Sequence, residues 1–171
     1  MNLQSNDFEL FGLTQQFAQE RSALDARWKT LQAQAHPDKF AAQGVAAQRL
    51  AMQWSVRINE AYQRLKNPLQ RAAYLCELQG APIQAHSNTA MAPEFLIQHI
   101  EWREALDDAR SVAHLEALAA SVDSTQSNLL ALCAQALDDR QDYAAAVPLV
   151  RSLMFIEKFR HDLDARFDAL S

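Results

Sequence analysis

His36 and Asp38, which flank Pro37 at the end of a helical stretch, are the residues whose types and spacing most suggest chemistry. An imidazole and a carboxylate this close can share a proton or bind a metal ion. A protein metal site, however, needs three or four ligands at fitting geometry. The other histidines are scattered at positions 86, 99, 114 and 161, outside any HExxH or Cys-x-x-Cys pattern. The sequence therefore predicts no metal site, and a metal-dependent hydrolase that uses His36 and Asp38 is only an alternative.

Two other kinds of catalytic site find no support in the sequence. No Ser–His–Asp set with a nucleophile elbow can be recognised, and no glycine-rich loop is present to cradle a phosphate. We predict that the chain is not an enzyme and needs no cofactor. A plain structural interpretation of the corner stays open, in which Pro37 ends a helix and Asp38 forms an Asx turn.

The composition favours helices throughout. Of 171 residues, 49% are hydrophobic, while only 3 are glycine and 5 are proline. Ala, Leu, Gln and Glu are plentiful, and these residues lose little side-chain freedom in a helix. No segment shows the alternation of apolar and polar residues that is typical of a strand. We predict an all-α fold.

The sequence also limits the compartment of the protein. No apolar run approaches the ~20 residues needed to span a bilayer, and the N-terminus resembles neither a signal nor a transit peptide. Cys76 and Cys133 are far apart in apolar helical contexts, which favours buried free thiols over a disulfide or a metal pair. We expect a cytoplasmic protein with no membrane partner.

Charge is distributed unevenly along the chain. Residues 1–80 contain 9 Lys and Arg against 7 Asp and Glu, whereas residues 81–171 contain 7 against 14. A mildly basic half joined to a strongly acidic half indicates two modules with different partners. Because nucleic acid would require a concentrated basic face, we predict no nucleic-acid partner.

Helical periodicity predicts a first domain over residues 1–80. Two long helices, about 22–35 and 45–66, carry apolar stripes and are separated by a predicted loop at 37–44. Two such helices pack antiparallel as a hairpin. Shorter helical segments lie on either side of the hairpin.

A second domain is predicted over residues 93–171. The Pro, Ser, Asn and Thr residues of 81–92 indicate a linker before it. Three amphipathic stretches then predict a three-helix bundle, at 93–109, 112–138 and 143–169. Alternatively, the polar residues 121–128 split the middle stretch. Pro148 is expected to delay the start of the last helix or to kink it.

Four segments together resemble a known family. "DFELFGL" (7–13), a helix, "HPDKF" (36–40) and a helix ending "INEAYQRLKNP" (58–68) resemble a J-domain, the helical hairpin by which co-chaperones stimulate heat-shock chaperone ATPases. The continuation "NPLQRAAYL" with an acidic helical tail is similar to the HscB family, the J-type co-chaperones of iron–sulfur cluster assembly. This resemblance covers essentially the whole chain. It implies two partners, an HscA-type heat-shock chaperone ATPase and an IscU-type scaffold.

The resemblance gives the corner a docking role. It implies that the His-Pro-Asp loop binds the ATP-bound chaperone, together with basic residues near the loop. The implied docking residues are His36, Pro37, Asp38, Lys39, Arg27 and Lys29, with Arg21 as a further candidate. The sequence departs from the general J pattern because Gln32, Gln34 and Asp25 dilute the basic run and Ala35 replaces the usual aromatic residue. We therefore expect weaker electrostatic steering and a dedicated chaperone partner.

The stretch 93–109 carries two stripes. Phe95, His99, Trp102 and Leu106 form the predicted core stripe. A second stripe begins apolar and becomes acidic, which is typical of an interaction surface. A wide core stripe beside a solvated acidic face is the alternative. The second stripe consists of Leu96, Ile97, Ile100, Glu101, Glu104 and Asp108.

The resemblance implies that this second stripe binds the scaffold, together with Phe155 of the last helix. Ile97 stands where methionine is common in the family and Asp108 where glutamate is common, and both replacements keep the chemistry. His99 and Trp102 are assigned to the core. A J-domain co-chaperone with a different client is the nearest alternative.

Overall fold

Helices account for the regular structure over residues 2–84 and 91–171, which are the residues that this computed structural model describes. The α-helices are α1 (Asp7–Phe11), α2 (Arg21–Ala35), α3 (Val45–Lys66), α4 (Pro68–Leu78), α5 (Pro93–Asp108), α6 (Val112–Ala134) and α7 (Tyr143–Leu170). Pro37–Gln43 forms a 3₁₀ helix, and Gln135–Asp139 forms a π-helical segment. No strand occurs within the described ranges, and the predicted all-α class is confirmed.

The chain divides into two compact units, Met1–Leu75 and Cys76–Ser171. The predicted domain limits of 1–80 and 93–171 remain predictions. Residues 85–90 of the predicted linker lie outside the described residues, and its other residues, 81–84 and 91–92, belong to no helix.

In the first unit, α2 and α3 pack along their apolar stripes. Leu24 and Leu31 of α2 are 1% and 3% exposed, and Ile58 of α3 is 1% exposed. Burying a leucine or isoleucine side chain contributes about 1.5–3 kcal/mol, so these contacts hold the hairpin together. The stripe on α3 continues through Ala61 and Leu65, which are fully buried.

The short helix α1 is fixed by its two ends and by its core residues. The Asn6 side chain accepts from the Glu9 N–H, and the Glu9 carboxylate accepts from the Asn6 N–H, so the two form a capping box. At the other end Gly12 adopts a left-handed conformation with φ of 62°, which closes the helix. Phe8 and Phe11 between these caps are buried.

Asp7 ties α1 to the hairpin. Its carboxylate is buried, and guanidinium nitrogens of Arg57 and Arg64 on α3 lie 2.8 and 3.3 Å from its two oxygens. Neither contact has hydrogen-bond geometry, so charge pairing dominates. The Asp7 N–H donates to the Tyr74 hydroxyl at 3.0 Å. Position 7 is thereby bound to both α3 and α4.

In the second unit, α5, α6 and α7 form the predicted three-helix bundle around one core. The buried residues of this core are Phe95, Trp102, Leu106, Ala109, Leu115, Leu118, Val122, Ile156, Phe159 and Leu163. Arg160 of α7 adds polar contacts to Asp123 and Gln126 of α6.

The last helix begins at Tyr143, as the predicted range 143–169 has it, so of the two effects expected of Pro148 the delayed start does not occur. Asp142 explains this start, because its side chain accepts from the Ala145 N–H at 3.1 Å and caps the helix. Pro148 then lies inside α7. The preceding helical stretch reaches its predicted end at about residue 138, and its last residues, 135–139, are π-helical.

Both cysteines are free and buried, as the sequence predicts. Burial raises the pKa of the Cys76 thiol to about 11, with a further contribution from Glu77. Burial raises the pKa of Cys133 to about 12. None of the described helices is both long and apolar enough to cross a lipid bilayer.

Candidate functional site

The corner at residues 36–39 is built by a proline that stops α2. A residue before proline is disfavoured in the α region, and His36 takes extended angles of φ −64° and ψ 128°. Pro37 then starts a 3₁₀ helix that continues to Gln43. The irregular loop predicted for 37–44 is therefore wrong. Proline supplies a helical φ at the first position, and the Lys39 N–H closes the turn on the His36 carbonyl at 3.0 Å.

The His36 ring caps this 3₁₀ helix. Its Nδ1 accepts from the Asp38 N–H at 3.3 Å. The Asp38 carboxylate lies 3.6 Å from the same nitrogen.

The corner is open to a partner. Side-chain exposure is 58% for His36 and 90% for Asp38. An exposed carboxylate on a stiff turn can form a charge-assisted pair with a partner guanidinium. Within the described ranges no three His, Cys, Asp or Glu side chains are grouped to hold a metal ion.

The predicted basic residues differ in how far they are engaged within the chain. Lys29 and Lys39 are exposed. The Arg27 Nε donates to the Phe11 carbonyl at 2.9 Å, so this guanidinium also anchors the end of α1. Arg21 pairs with Asp25 at 2.9 Å. Hydrogen bonds from Tyr62 and then Arg21 lower the pKa of Asp25.

An apolar groove of about 280 Å³ lies beside the corner, between α2 and α3. Ala35 and Phe40 line it where α2 meets the 3₁₀ helix, and Leu50 and Trp54 line it from α3. The apolar stripe of α3 leaves one core position open between Leu50 and Ala51, and Leu50 is 50% exposed. Ala51, the next residue, takes the buried position at 3% exposure. The sequence contains a signal for this exposed position, because only one of two adjacent apolar residues on a helix can point into the hairpin core.

The first turns of α5 carry an exposed apolar patch, which we call the α5 patch. It consists of Leu96, Ile97 and Ile100, which are 44%, 60% and 50% exposed. The α5 patch is therefore on the surface and not part of a wide core stripe. Nearby on the same helix are three exposed acidic residues, Glu101, Glu104 and Asp108.

The core stripe of α5 agrees with the sequence except at His99. Phe95, Trp102 and Leu106 are 7%, 4% and 7% exposed. His99, also assigned to the core, is half-buried. It lies at the edge of the stripe, where its ring is 6.0 Å from that of Phe155 on α7. Phe155 is also half-buried and packs against the core.

Comparisons with known sequences extend over almost the whole chain. Residues 91–164 match a family model described as the HSCB C-terminal oligomerisation domain. A protein of Bordetella avium named "Co-chaperone protein HscB homolog" is 48% identical over 159 residues, which cover 92% of this chain and 95% of the relative. A relative of the same name from Azoarcus sp. is 44% identical over 173 residues, covering 99% and 98%. These names agree with the prediction that the chain is not an enzyme.

Two solved structures are similar to this one. Chaperone HscB from Vibrio cholerae has 36% identity and a TM-score of 0.84, covering 98% of this chain and all of that one. Human co-chaperone protein HscB has a TM-score of 0.90 and covers 96% of this chain and 83% of its own, but at 24% identity it supports the fold alone. The architecture is thus a J-domain followed by a C-terminal helical bundle. With near-complete coverage of relatives that are 44% and 48% identical, the chain belongs to the HscB family of co-chaperones.

Proposed function

We propose that this chain stimulates the ATPase of an HscA-type heat-shock chaperone and delivers an IscU-type iron–sulfur scaffold to it. The J-domain docks on the chaperone through the corner at residues 36–39, with Arg27 and Lys29 of α2 contributing positive charge. The C-terminal bundle holds the scaffold. The chain needs no cofactor, and the cluster is cargo carried by the scaffold.

The observation that carries the chaperone role is the exposure of Asp38 on a preorganised turn. Its carboxylate is 90% exposed, while the His36 cap and the fixed φ of Pro37 keep the turn from rearranging. A partner that recognises this shape in only one of its nucleotide states is shifted toward that state. Binding at the corner therefore converts directly into stimulation.

Steady-state ATPase measurements on an HscA-type chaperone test this role. The unaltered chain should stimulate hydrolysis, and Asp38→Asn should abolish the stimulation because it removes the charge and keeps the shape. Glu60→Gln is the control, since it also removes an exposed carboxylate. Glu60 lies fifteen residues after Val45, the first residue of α3, and so away from the end of the helix that follows the corner. Stimulation that survives Asp38→Asn contradicts the docking role.

The scaffold role is supported by the α5 patch and the acidic residues that follow it. An apolar centre with a charged rim is how protein interfaces are organised. Leu96 and Ile100 are one turn apart, so one partner surface can cover both. Phe155 supplies an aromatic side chain from α7. Glu101, Glu104 and Asp108 supply the acidic rim.

Titration calorimetry with an IscU-type scaffold tests this surface. Replacing both Leu96 and Ile100 with alanine should weaken binding at least about tenfold, since central apolar anchors each contribute more than 1 kcal/mol to typical interfaces. Leu132→Ala is the control, because Leu132 is a similarly exposed leucine on α6 at 43%. Unchanged affinity in the double variant would favour a J-domain co-chaperone with a different client.

We place this activity in the cytoplasm of a bacterium. Two buried free thiols suit a reducing compartment. The relatives from Bordetella avium and Azoarcus sp. support a bacterial source. No nucleic-acid or membrane partner is part of the proposal.

A further inference from the structure

His99 stands at the junction between the α5 patch and α7. On a helix, residues three or four apart are neighbours, so His99 lies beside Leu96 on one side and Phe95 on the other. Its ring centroid is 6.2 Å from Phe95, 6.0 Å from Phe155 and 6.1 Å from Phe159. The imidazole is therefore packed among three phenyl rings from two helices. Phe155 is the only one of the three that is half-buried.

Among the described residues, no polar group forms a hydrogen bond with the inner side of the His99 ring. The Nδ1 atom is buried and lacks a hydrogen-bond partner among the described residues. A neutral imidazole can leave this nitrogen unprotonated, whereas an imidazolium carries an N–H at both nitrogens. Protonation would then bury a donor that has no acceptor, which is costly.

The charges near His99 also oppose its protonation. Arg103, one turn further along α5, is the charged group that acts on it. Burial, and then this guanidinium, lowers the pKa of His99. From α7, Asp162 pairs with Arg103 at 2.5 Å, so its carboxylate is already engaged. The Arg103 guanidinium also lies 5.1 Å above the Phe159 ring. The neutral ring is the form that this packing accommodates.

We propose that His99 is a positioning residue of the scaffold-binding surface: its neutral ring holds Phe155 next to the α5 patch, and protonation of the ring releases Phe155 and weakens scaffold binding. This inference rests on the proposed function. It adds a residue and a pH dependence that the binding surface alone does not contain.

The sign of the pH dependence follows from the lowered pKa. Above the ordinary imidazole pKa near 6.5 the ring is neutral in both the free and packed states, and binding is at full strength. As the pH falls through the pKa of His99, the packed neutral form is lost. A surface that binds only with the neutral ring loses up to about tenfold in affinity for each further pH unit. Carboxylates titrate near pH 4, so measurements between about pH 5 and 7.5 separate the effect of the histidine from that of the carboxylates.

NMR on the full chain tests the positioning role without any partner. The His99 ring signals should titrate below the ordinary imidazole range, and the Phe155 ring signals should shift with the same midpoint. In His99→Gln, which keeps size and polarity but cannot titrate, the Phe155 shift should be absent. A Phe155 ring that is unmoved while His99 titrates overturns the inference.

Titration calorimetry with an IscU-type scaffold, at pH 7.5 and at one pH unit below the His99 midpoint found by NMR, tests the consequence for binding. The unaltered chain should lose about tenfold more affinity on acidification than His99→Gln loses, since the variant reports the pH dependence of the scaffold itself. His161→Gln, an exposed histidine of α7, should behave like the unaltered chain. Equal losses in the unaltered chain and His99→Gln overturn this inference alone. Absence of binding at pH 7.5 overturns the proposed function and the inference that depends on it.

Discussion

Asp7 is a charged side chain that the first unit buries completely, with a side-chain exposure of 0%. The cost of removing a carboxylate from water is recovered only if opposite charges stay close to it. Arg57 and Arg64 provide those charges, although both remain partly exposed, at 20% and 39%. The pairing holds α1 on α3, and α3 forms one side of the hairpin that carries the corner.

We expect Asp7→Asn to lower the free energy of unfolding by about 2–4 kcal/mol, because two arginines then lose their shared counter-charge in a buried site. Urea unfolding followed by circular dichroism measures the change. Glu60→Gln, which removes an exposed carboxylate from α3, should change stability by less than about 0.5 kcal/mol. A loss for Asp7→Asn as small as that of the control would mean that the ion pairs contribute little.

Individual side chains mark the limit of what the sequence predicts. The periodicity of α5 correctly separates the buried Phe95 and Trp102 from the exposed Ile97. It does not report depth at the boundary between faces, where His99 is half-buried. The anchoring of Arg27 on the Phe11 carbonyl is equally invisible, since it depends on how α1 packs against α2. The sequence pattern predicts which face of a helix a side chain lies on. How deeply the side chain is buried, and which group it contacts, depends on the neighbouring helices.

Helices are predicted more securely than the connections between them. Apolar stripes and breakers locate α2, α3 and α5 to within a residue or two of their observed bounds. The sequence does not predict the 3₁₀ helix after the corner or the π-helical segment Gln135–Asp139. The residue types in these two segments are compatible with a loop, an α-helix, a 3₁₀ helix or a π-helix. Packing and capping determine which backbone hydrogen bonds form in these two segments.

Pro148 lies inside α7 and should reduce the stability of this helix. Proline has no N–H to donate to the carbonyl four residues earlier, which belongs to Ala144, and its ring crowds that turn. The residue is exposed, so alanine can replace it without leaving a cavity. Pro148→Ala should raise the free energy of unfolding by about 1–2 kcal/mol, after allowance for the more flexible unfolded chain. Urea unfolding of the variant and the unaltered chain measures the gain.

Pro82→Ala is the matched control, because Pro82 is exposed and lies outside the helices. It has the same effect on the unfolded chain without restoring a helical hydrogen bond, and it should not stabilise the protein. Equal gains in both variants would show that the helix tolerates Pro148 without cost.

The two candidate surfaces lie in different compact units, and the charge of the chain divides with them. The corner lies in the mildly basic part and the α5 patch in the acidic part. Charge counts and helical periodicity predict two modules with different partners. The bundle core, which includes Phe95, Leu115 and Ile156, depends on contacts that the linear pattern does not specify.

Carrying both surfaces on one chain should matter for delivery of the scaffold. When one chain holds the scaffold and the chaperone together, the second encounter becomes intramolecular and its effective concentration rises to about the millimolar range. Asp38→Asn should retain scaffold binding, and the double variant of Leu96 and Ile100 should retain chaperone docking. An equimolar mixture of the two therefore contains both activities, but on separate chains.

At micromolar concentrations we expect this mixture to give at least about tenfold less scaffold-dependent stimulation of the chaperone ATPase than the unaltered chain, since neither variant can join the two partners. Steady-state ATPase rates with and without scaffold measure the difference. Raising all components toward millimolar concentration should narrow the gap, because free diffusion then matches the effective concentration of the linked surfaces. If the mixture equals the unaltered chain at low concentration, the two surfaces act independently and their presence on one chain does not contribute to delivery.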